Sequence, residues 1–243
     1  MSFPGYTRLS EEQTFSTFTT ERVPVGTLGQ LEDGRLYRFA ENGGVALVVA
    51  NMIQSEVPLA DTLAEAIATL AAGVTVLTGI GGTTADTAAN AMKEGYVYST
   101  TAADLNPAYR VKSNTLITAA AATGTITLYS PLVAAIAAAS TISYVKNPHR
   151  DVVVAVATTP TAQVVGASVN AIALDEFGWL QTRGPCRVLN GGTTTVIGDP
   201  VGPGGVAGSV IPIAATELTV PVYGTALVVA ASAVMALIYL QID

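Results

Sequence analysis

Short apolar runs separated by turn residues dominate the chain after Asn147 and constrain its fold more than any other feature. Turn signals such as Pro160 and Asn190-Gly191-Gly192 recur at roughly eight- to twelve-residue intervals, which is typical of sandwiches and barrels. The predicted strands are Asp151–Ala157, Ala162–Val169, Phe177–Thr182, Cys186–Leu189, Thr193–Ile197, Ile211–Ala214 and a final pair at the C-terminal end. The pattern predicts a mainly β protein with a barrel- or sandwich-like body.

The region before Pro58 shows the same pattern. Arg35–Phe39 alternates and predicts a strand, Asn42-Gly43-Gly44 predicts a turn, and Val45–Met52 predicts the second strand of a hairpin. We therefore expect residues 23–57 and 147–243 to form the body together.

Residues 58–146 differ in composition and predict an inserted, mainly β region rich in Ala and Thr, with minor α content. Thr/Val alternation favours strands, whereas alanine favours helix. Ala85–Lys93 is the predicted helix, because Thr83, Thr84 or Asp86 can cap its start and Gly95 can end it. We find no repeated unit and no heptad pattern in the sequence.

Residues 1–22 are polar and predict an N-terminal arm outside the body. Phe3, Phe15 and Phe18 are its large apolar residues, and they are too widely spaced to form a local core. We expect this arm to become ordered on a neighbouring subunit and to contribute to assembly more than to folding.

Low charge is the strongest compositional signal of function. Charged residues make up 12% of the 243 residues and hydrophobic residues 50%, while soluble domains are typically about a quarter charged. Such a surface is cheap to desolvate, which predicts a protein that is largely covered by other protein. The net charge of −7 and the scattered basic residues argue against nucleic acid and anionic membranes as partners.

The uncharged segment 218–242 allows two interpretations, a membrane span or two strands. Pro221 and Gly224 interrupt it, and Ile238, Leu240 and Ile242 alternate with polar or aromatic residues. This period favours two buried strands joined near Ser232. The N-terminal sequence lacks the pattern of a secretory signal, so we expect a protein that is made in the cytoplasm and used without crossing a membrane.

No residue cluster predicts catalysis, metal binding or a cofactor. One histidine (His149) and one cysteine (Cys186) provide too few ligands for a Cys/His metal site. Glu32-Asp33 and Asp175-Glu176 are adjacent carboxylates that favour solvated turns over an acid/base pair. We expect no enzyme activity, and no catalytic, cofactor-binding or metal-binding residues.

Two glycine-rich segments and one tryptophan resemble parts of binding motifs. Gly79–Thr84 lacks the Lys-Ser/Thr of a Walker loop, and Gly202–Ala207 fits G-x-G-x-x-A without a following helix, so both predict loops. Trp179 beside Phe177 can form a sugar-stacking platform, but a single Trp in a β protein favours a buried packing role.

The second half of the chain resembles a family of tailed-phage virion proteins that includes capsid decoration, or cement, proteins. The similar residues are glycines, turns and apolar spacings rather than catalytic signatures. They are Phe177–Cys186, Val188, Gly192-Thr193, Gly198, Pro200-Val201, Val206–Gly208, Val222, Gly224, Ala226 and Ala236–Leu240, with Gly34–Phe39, Glu94–Tyr96, Tyr109–Asn114, Leu128–Leu132 and Asn147-Pro148 earlier in the chain.

This resemblance implies a structural protein on the outer surface of an icosahedral capsid. The implied partners are the major capsid protein and further copies of the chain, with a homotrimer favoured over a dimer. Three alternatives stay open: a tail or fibre component, a carbohydrate-binding β-domain that uses Trp179 and Tyr96, Tyr98 or Tyr109, and a small membrane protein with a C-terminal span.

Overall fold

The computed structural model describes residues 7–58, 62–82, 85–119, 122–138, 140–214 and 220–243, and this part of the chain is mostly β. The described helix is α1, Glu11–Thr14. The strands are β1 Thr7–Arg8, β2 Leu28–Gln30, β3 Leu36–Glu41, β4 Met52–Gln54, β5 Glu65–Ala66, β6 Val76–Ile80, β7 Tyr96–Ser99, β8 Tyr109–Asn114, β9 Gly124–Leu128, β10 Thr141–Val145, β11 Val153–Val154, β12 Val164–Ser168, β13 Phe177–Leu189, β14 Pro200–Pro203, β15 Val210–Pro212, β16 Gly224–Ala226 and β17 Met235–Gln241.

The chain divides into two compact units. Unit 1 contains residues 1–57 and 148–243, and unit 2 contains residues 58–147. The buried apolar clusters of the described residues each lie within one unit, so each unit has its own core.

Unit 1 is built on one large sheet whose described strands run in the order β1-β2-β3-β13-β17-β16-β14-β15. Beside this path, β12 pairs with β13 and β4, and β4 also pairs with β11. The long strand β13 changes partner along its length. Its first half pairs with β3, from Phe177 opposite Glu41, and its second half pairs with β17, from Arg183 opposite Gln241.

Unit 1 contains two structural repeats that share β13. The first repeat runs from β3 through β4, β11 and β12 to the first half of β13, and the second runs from the second half of β13 through β14, β15 and β16 to β17. The pairings match in register: Gly166 opposite Ile53 in the first repeat corresponds to Gly224 opposite Val201 in the second. We call these segments the first and second repeats.

A buried asparagine marks the same turn in each repeat. The Asn42 side-chain amide donates to the carbonyls of Val45, Ile172 and Ala173, and the Asn190 amide donates to those of Thr193, Ala230 and Ala231. A short bridge follows in both: Leu47 with Ile172, and Thr195 with Ala230. Each amide adds a second hydrogen bond to a carbonyl, that of Ile172 or Ala230, which already accepts from the backbone N–H across the bridge.

Two predicted strands do not form, because a residue with positive φ ends each extended run. Val45–Met52 was expected to continue as a hairpin strand, but Ala50 adopts φ 72° and ends the extended run. β4 therefore starts at Met52 and pairs with β11 and β12 rather than with β3. Thr193–Ile197 likewise contributes only the Thr195 bridge, with Gly198 at φ 89°.

The prediction of an N-terminal arm outside the body is wrong for residues 7–22, because these residues pack on the rest of unit 1. β1 pairs in parallel with β2, and Ser10 and Gln13 form a capping box on α1. Leu9 is buried, and Phe18 makes a bridge with Phe177. Apolar residues spaced too widely to form a local core can still enter a distant one, which is why the sequence pattern missed this contact. Phe3 lies outside the described residues.

Unit 2 contains a six-stranded antiparallel sheet among its described residues, in the order β5-β10-β7-β8-β9-β6, and the sheet is nearly closed like a barrel. Its core contains the inward side chains of these strands, among them Leu77, Val111, Ile126 and Tyr144.

The helix predicted at Ala85–Lys93 is absent from the described structure of this segment. Thr87 makes a bridge with Ile117, and turns follow. The Asn114 amide donates to the Ala88 carbonyl, and its oxygen accepts from the Met92 N–H, each at 2.9 Å. These bonds replace the helical ladder and override a weak alanine propensity.

The predicted C-terminal strand pair is confirmed. β16 and β17 are antiparallel, with Ala226 opposite Ile238, and Ile238 and Leu240 face the core. In the described part of the chain, no helix has the length and apolar character needed to cross a bilayer.

Candidate interaction surfaces

The single histidine and the single cysteine of the chain both have shifted pKa values. Burial, aided by the positive charge of Arg38, lowers the pKa of His149 to about 4, so the imidazole is neutral near pH 7. Burial raises the pKa of the Cys186 thiol to about 12, which suppresses the thiolate needed for nucleophilic attack. Among the described residues, no three His, Cys, Asp or Glu side chains are grouped as metal ligands.

The paired carboxylates lie apart on turns. Asp33 accepts from the Arg35 guanidinium at 2.6 Å beside the exposed Glu32. Asp175 is exposed and adopts φ 60° at the turn that precedes β13. Glu32 and Asp33 line a groove together with Glu11, but all three carboxylates are exposed to solvent, and Glu11 and Asp33 both pair with Arg35.

The two glycine-rich motifs are structural. Gly79 and Ile80 belong to β6, while Thr83 and Thr84 lie outside the described residues. The second motif, residues 202–207, begins in β14 and continues into the turn that leads to β15. No helix follows it in this described segment, so it lacks the context of a dinucleotide site.

Trp179 is buried, as predicted, with 4% of its surface exposed. Its ring packs edge-on to Phe39 at 5.1 Å between centroids, and Phe39 stacks on Phe177 at 5.9 Å. A covered indole cannot stack on a sugar, so Trp179 is removed from the predicted carbohydrate site. Tyr109 is also buried.

Unit 2 nevertheless presents an aromatic surface. Tyr96 and Tyr98 are exposed at alternate positions of β7, so they share one face. Arg110 lies opposite Tyr96 and packs over the exposed Tyr129 ring at 5.1 Å. The buried Glu94 carboxylate accepts from the Tyr129 hydroxyl at 2.6 Å and pairs with Arg110, which orients both side chains.

The second repeat carries an exposed apolar ribbon, which we call the turn patch: Val196, Ile197, Val228 and Val229. The bridge between Thr195 and Ala230 places its two segments side by side. Exposed fractions of 56%, 67%, 38% and 60% for these residues show that both segments of the ribbon are exposed to solvent. Exposed apolar clusters of this kind mark interaction sites.

The outward side of β13 and β17 forms a second surface, the second-repeat face. It is defined by Arg183, Pro185, Arg187, Leu227, Met235 and Leu237. Arg187 lies opposite Leu237, and the Leu227 N–H donates to the Leu237 carbonyl, so these three side chains form one row across the sheet. Met235 and Leu237 are each 38% exposed.

Comparisons with known proteins give no family assignment: no family model, no curated protein and no solved structure matches the chain.

Sequence reasoning missed the two surfaces of the second repeat because it missed the repeat. The available signal was the recurrence of Asn-Gly-Gly at residues 42–44 and 190–192, each followed by an apolar or Thr-rich run. The flanking residues differ too much in type for the similarity to be evident without the hydrogen-bond pattern.

Proposed function

We propose that the chain is a structural virion protein that binds the outside of an icosahedral phage head and cements neighbouring major capsid subunits. The observation that carries this proposal is the turn patch, an apolar ribbon whose two segments are both exposed to solvent. Exposed apolar patches mark interaction sites, and the sequence resemblance to phage head proteins supports the major capsid protein as the partner.

Charge and chemistry support an assembly role over an enzymatic one. The low pKa of His149 makes its imidazole a weak base, and the high pKa of Cys186 keeps its thiol protonated, so both support a non-enzymatic role. A surface with few charges loses little hydration when it is covered over a large area. The net charge of −7 disfavours contact with packaged DNA and suits the outer side of the shell.

Binding to purified heads that lack this protein tests the proposal. The wild-type chain is expected to co-sediment with the heads and to raise the temperature at which they release DNA. Val229→Asp places a charge in the turn patch and is expected to lower occupancy at least tenfold. Ala171→Asp is the matched control, because Ala171 is exposed at the equivalent position of the first repeat.

Wild-type protein that fails to bind these heads overturns the proposal. Equal loss of binding by Val229→Asp and Ala171→Asp removes the turn patch as the contact, since the two changes add the same charge at equivalent positions.

The aromatic surface of unit 2 favours a second candidate, a carbohydrate-binding domain displayed on the virion. Exposed tyrosines that share a face are suited to stack on sugar rings, and Arg110 lies beside them. A glycan array is expected to give a signal that Tyr98→Ala abolishes while Tyr239→Ala, in unit 1, retains it. An array without signal rejects this candidate.

A further inference from the structure

The two repeats of unit 1 differ in whether their outward faces are covered. By register, Phe177 and Trp179 of the first repeat correspond to Met235 and Leu237 of the second. The first pair is 7% and 4% exposed, whereas the second pair is 38% exposed at both positions. The same backbone position is therefore interior in one repeat and surface in the other.

The N-terminal segment causes this difference. Leu9, Val25 and Leu31 pack with Phe39 and Trp179 in one cluster, and Phe18 adds its ring at 6.1 Å from Phe39. In the described chain, no corresponding segment packs on Met235 and Leu237. The second-repeat face is thus the uncovered counterpart of a face that this fold covers with protein.

Charge indicates what would cover it. Arg35 of the first repeat corresponds to Arg183 of the second, and Arg35 pairs with Glu11 of the N-terminal segment at 2.7 Å. Arg183 and Arg187 are exposed and make no ion pair with a carboxylate of the described residues. A partner for this face therefore needs apolar side chains accompanied by carboxylates.

The chain itself presents such a surface on the solvent side of its N-terminal segment. Glu11, Glu12, Glu32 and Asp33 are exposed there, with Phe15 at 50% exposure. A groove of about 610 Å³ lies between α1 and the β2–β3 turn, and its charged lining residues are Arg8, Glu11, Glu32, Asp33 and Arg35. Arg35 pairs with Glu11 and Asp33, which leaves Glu12 and Glu32 as the exposed carboxylates that make no ion pair with a described residue. We call Glu11, Glu12, Phe15, Glu32 and Asp33 the acidic surface.

We propose that a second copy of this chain docks its acidic surface on the second-repeat face, so that copies associate head to tail. The apolar row at Leu237 packs against the region of Phe15, while Arg183 and Arg187 approach the carboxylates. Pairing of two second-repeat faces is disfavoured, because it brings the arginines of both copies together. This proposal rests on the proposed function, because it specifies how copies of a capsid-binding protein associate with each other. Its test, however, requires no capsid.

The first experiment measures the mass of the full chain by light scattering over a range of concentrations. Wild type is expected to associate, and added salt is expected to weaken the association. Arg187→Glu should raise the dissociation constant at least tenfold. Lys112→Glu, an equal charge reversal at an exposed position in unit 2, should leave the constant unchanged. Arg187→Gln, which only removes the charge, should have a smaller effect in the same direction.

The second experiment mixes two variants. Glu12→Arg/Glu32→Arg reverses charge on the acidic surface and should also block self-association. Mixing it with Arg187→Glu restores opposite charges at each junction and should restore association. A monomeric wild type, an Arg187→Glu variant that associates as wild type does, or a mixture that stays dissociated each overturns the head-to-tail contact. None of these outcomes bears on capsid binding through the turn patch.

Discussion

Equivalent residues of the two repeats acquire different roles because their surroundings differ. Trp179 and Leu237 occupy matching positions, yet the first is a core residue and the second lies on the surface. The burial of Trp179 was predictable, since a lone Trp in a strand-like run favours a core. The buried Asn42 and Asn190 were not, because a short polar residue before two glycines predicts only a turn; their carbonyl partners come from distant segments.

Truncation of the matched pair should give unequal losses of stability. Trp179→Ala removes a buried ring and is expected to lower the free energy of unfolding by about 3–5 kcal/mol. Leu237→Ala removes a partly exposed side chain and should cost about 1 kcal/mol or less. Urea unfolding of both variants measures the difference. Equal losses would show that the two faces are not covered differently.

The half-buried His149 should make stability depend on pH between about 4 and 6.5. Its pKa is about 4 in the folded chain and near 6.5 when unfolded, so the unfolded state binds more protons in this window and stability falls as pH falls. The loss should approach about 3 kcal/mol at the acid end. His149→Asn removes this titration.

Denaturant unfolding at several pH values compares His149→Asn with wild type. Burial raises the pKa of Glu41, but this contribution is common to both proteins and cancels in the difference. Although burial opposes its ionisation, hydrogen bonds from Arg38 hold the pKa of Asp243 below its usual value, so its titration lies at lower pH. A constant difference between the two proteins across the window would contradict the account.

At the scale of elements, alternation of apolar and polar residues predicted strands correctly, whereas a high alanine content did not predict a helix correctly. The period of β17 was predictable because one face of this strand meets the core and the other meets solvent. Ala85–Lys93 was misread as a helix because its backbone partners, supplied by Asn114, are remote in sequence. The N-terminal segment was misread for the same reason: the pockets that receive Leu9 and Phe18 are built by β3 and β13.

Deletion of residues 2–22 should therefore destabilise the isolated chain. It removes β1, α1, Leu9 and Phe18 and uncovers Trp179 and its neighbours Phe39 and Phe177 in the first repeat. Loss of the two apolar side chains alone should cost about 3–6 kcal/mol. Thermal unfolding and the emission maximum of Trp179 measure the effect, with a red shift expected. An unchanged melting temperature would contradict this prediction and would show that the N-terminal segment is an independent arm.

At the scale of the whole molecule, the mainly β class and the inserted region could be predicted from turn spacing and composition. The repeat was not, because it is expressed in hydrogen bonds and register rather than in residue identity. Its consequence is an asymmetric unit 1, in which one face is covered by the chain and the equivalent face carries Arg183, Arg187 and exposed apolar side chains. This asymmetry is the basis of the proposed assembly.

Peroxide oxidation of methionine, followed by mass spectrometry, tests most directly whether the second-repeat face is covered by another copy. Met235 is exposed in the single chain, and the buried Met52 and Met92 serve as internal references. We predict that oxidation of Met235 slows towards the reference rates as protein concentration rises, and that it stays fast in Arg187→Glu. A Met235 oxidation rate that is independent of concentration in the wild-type chain would contradict the account.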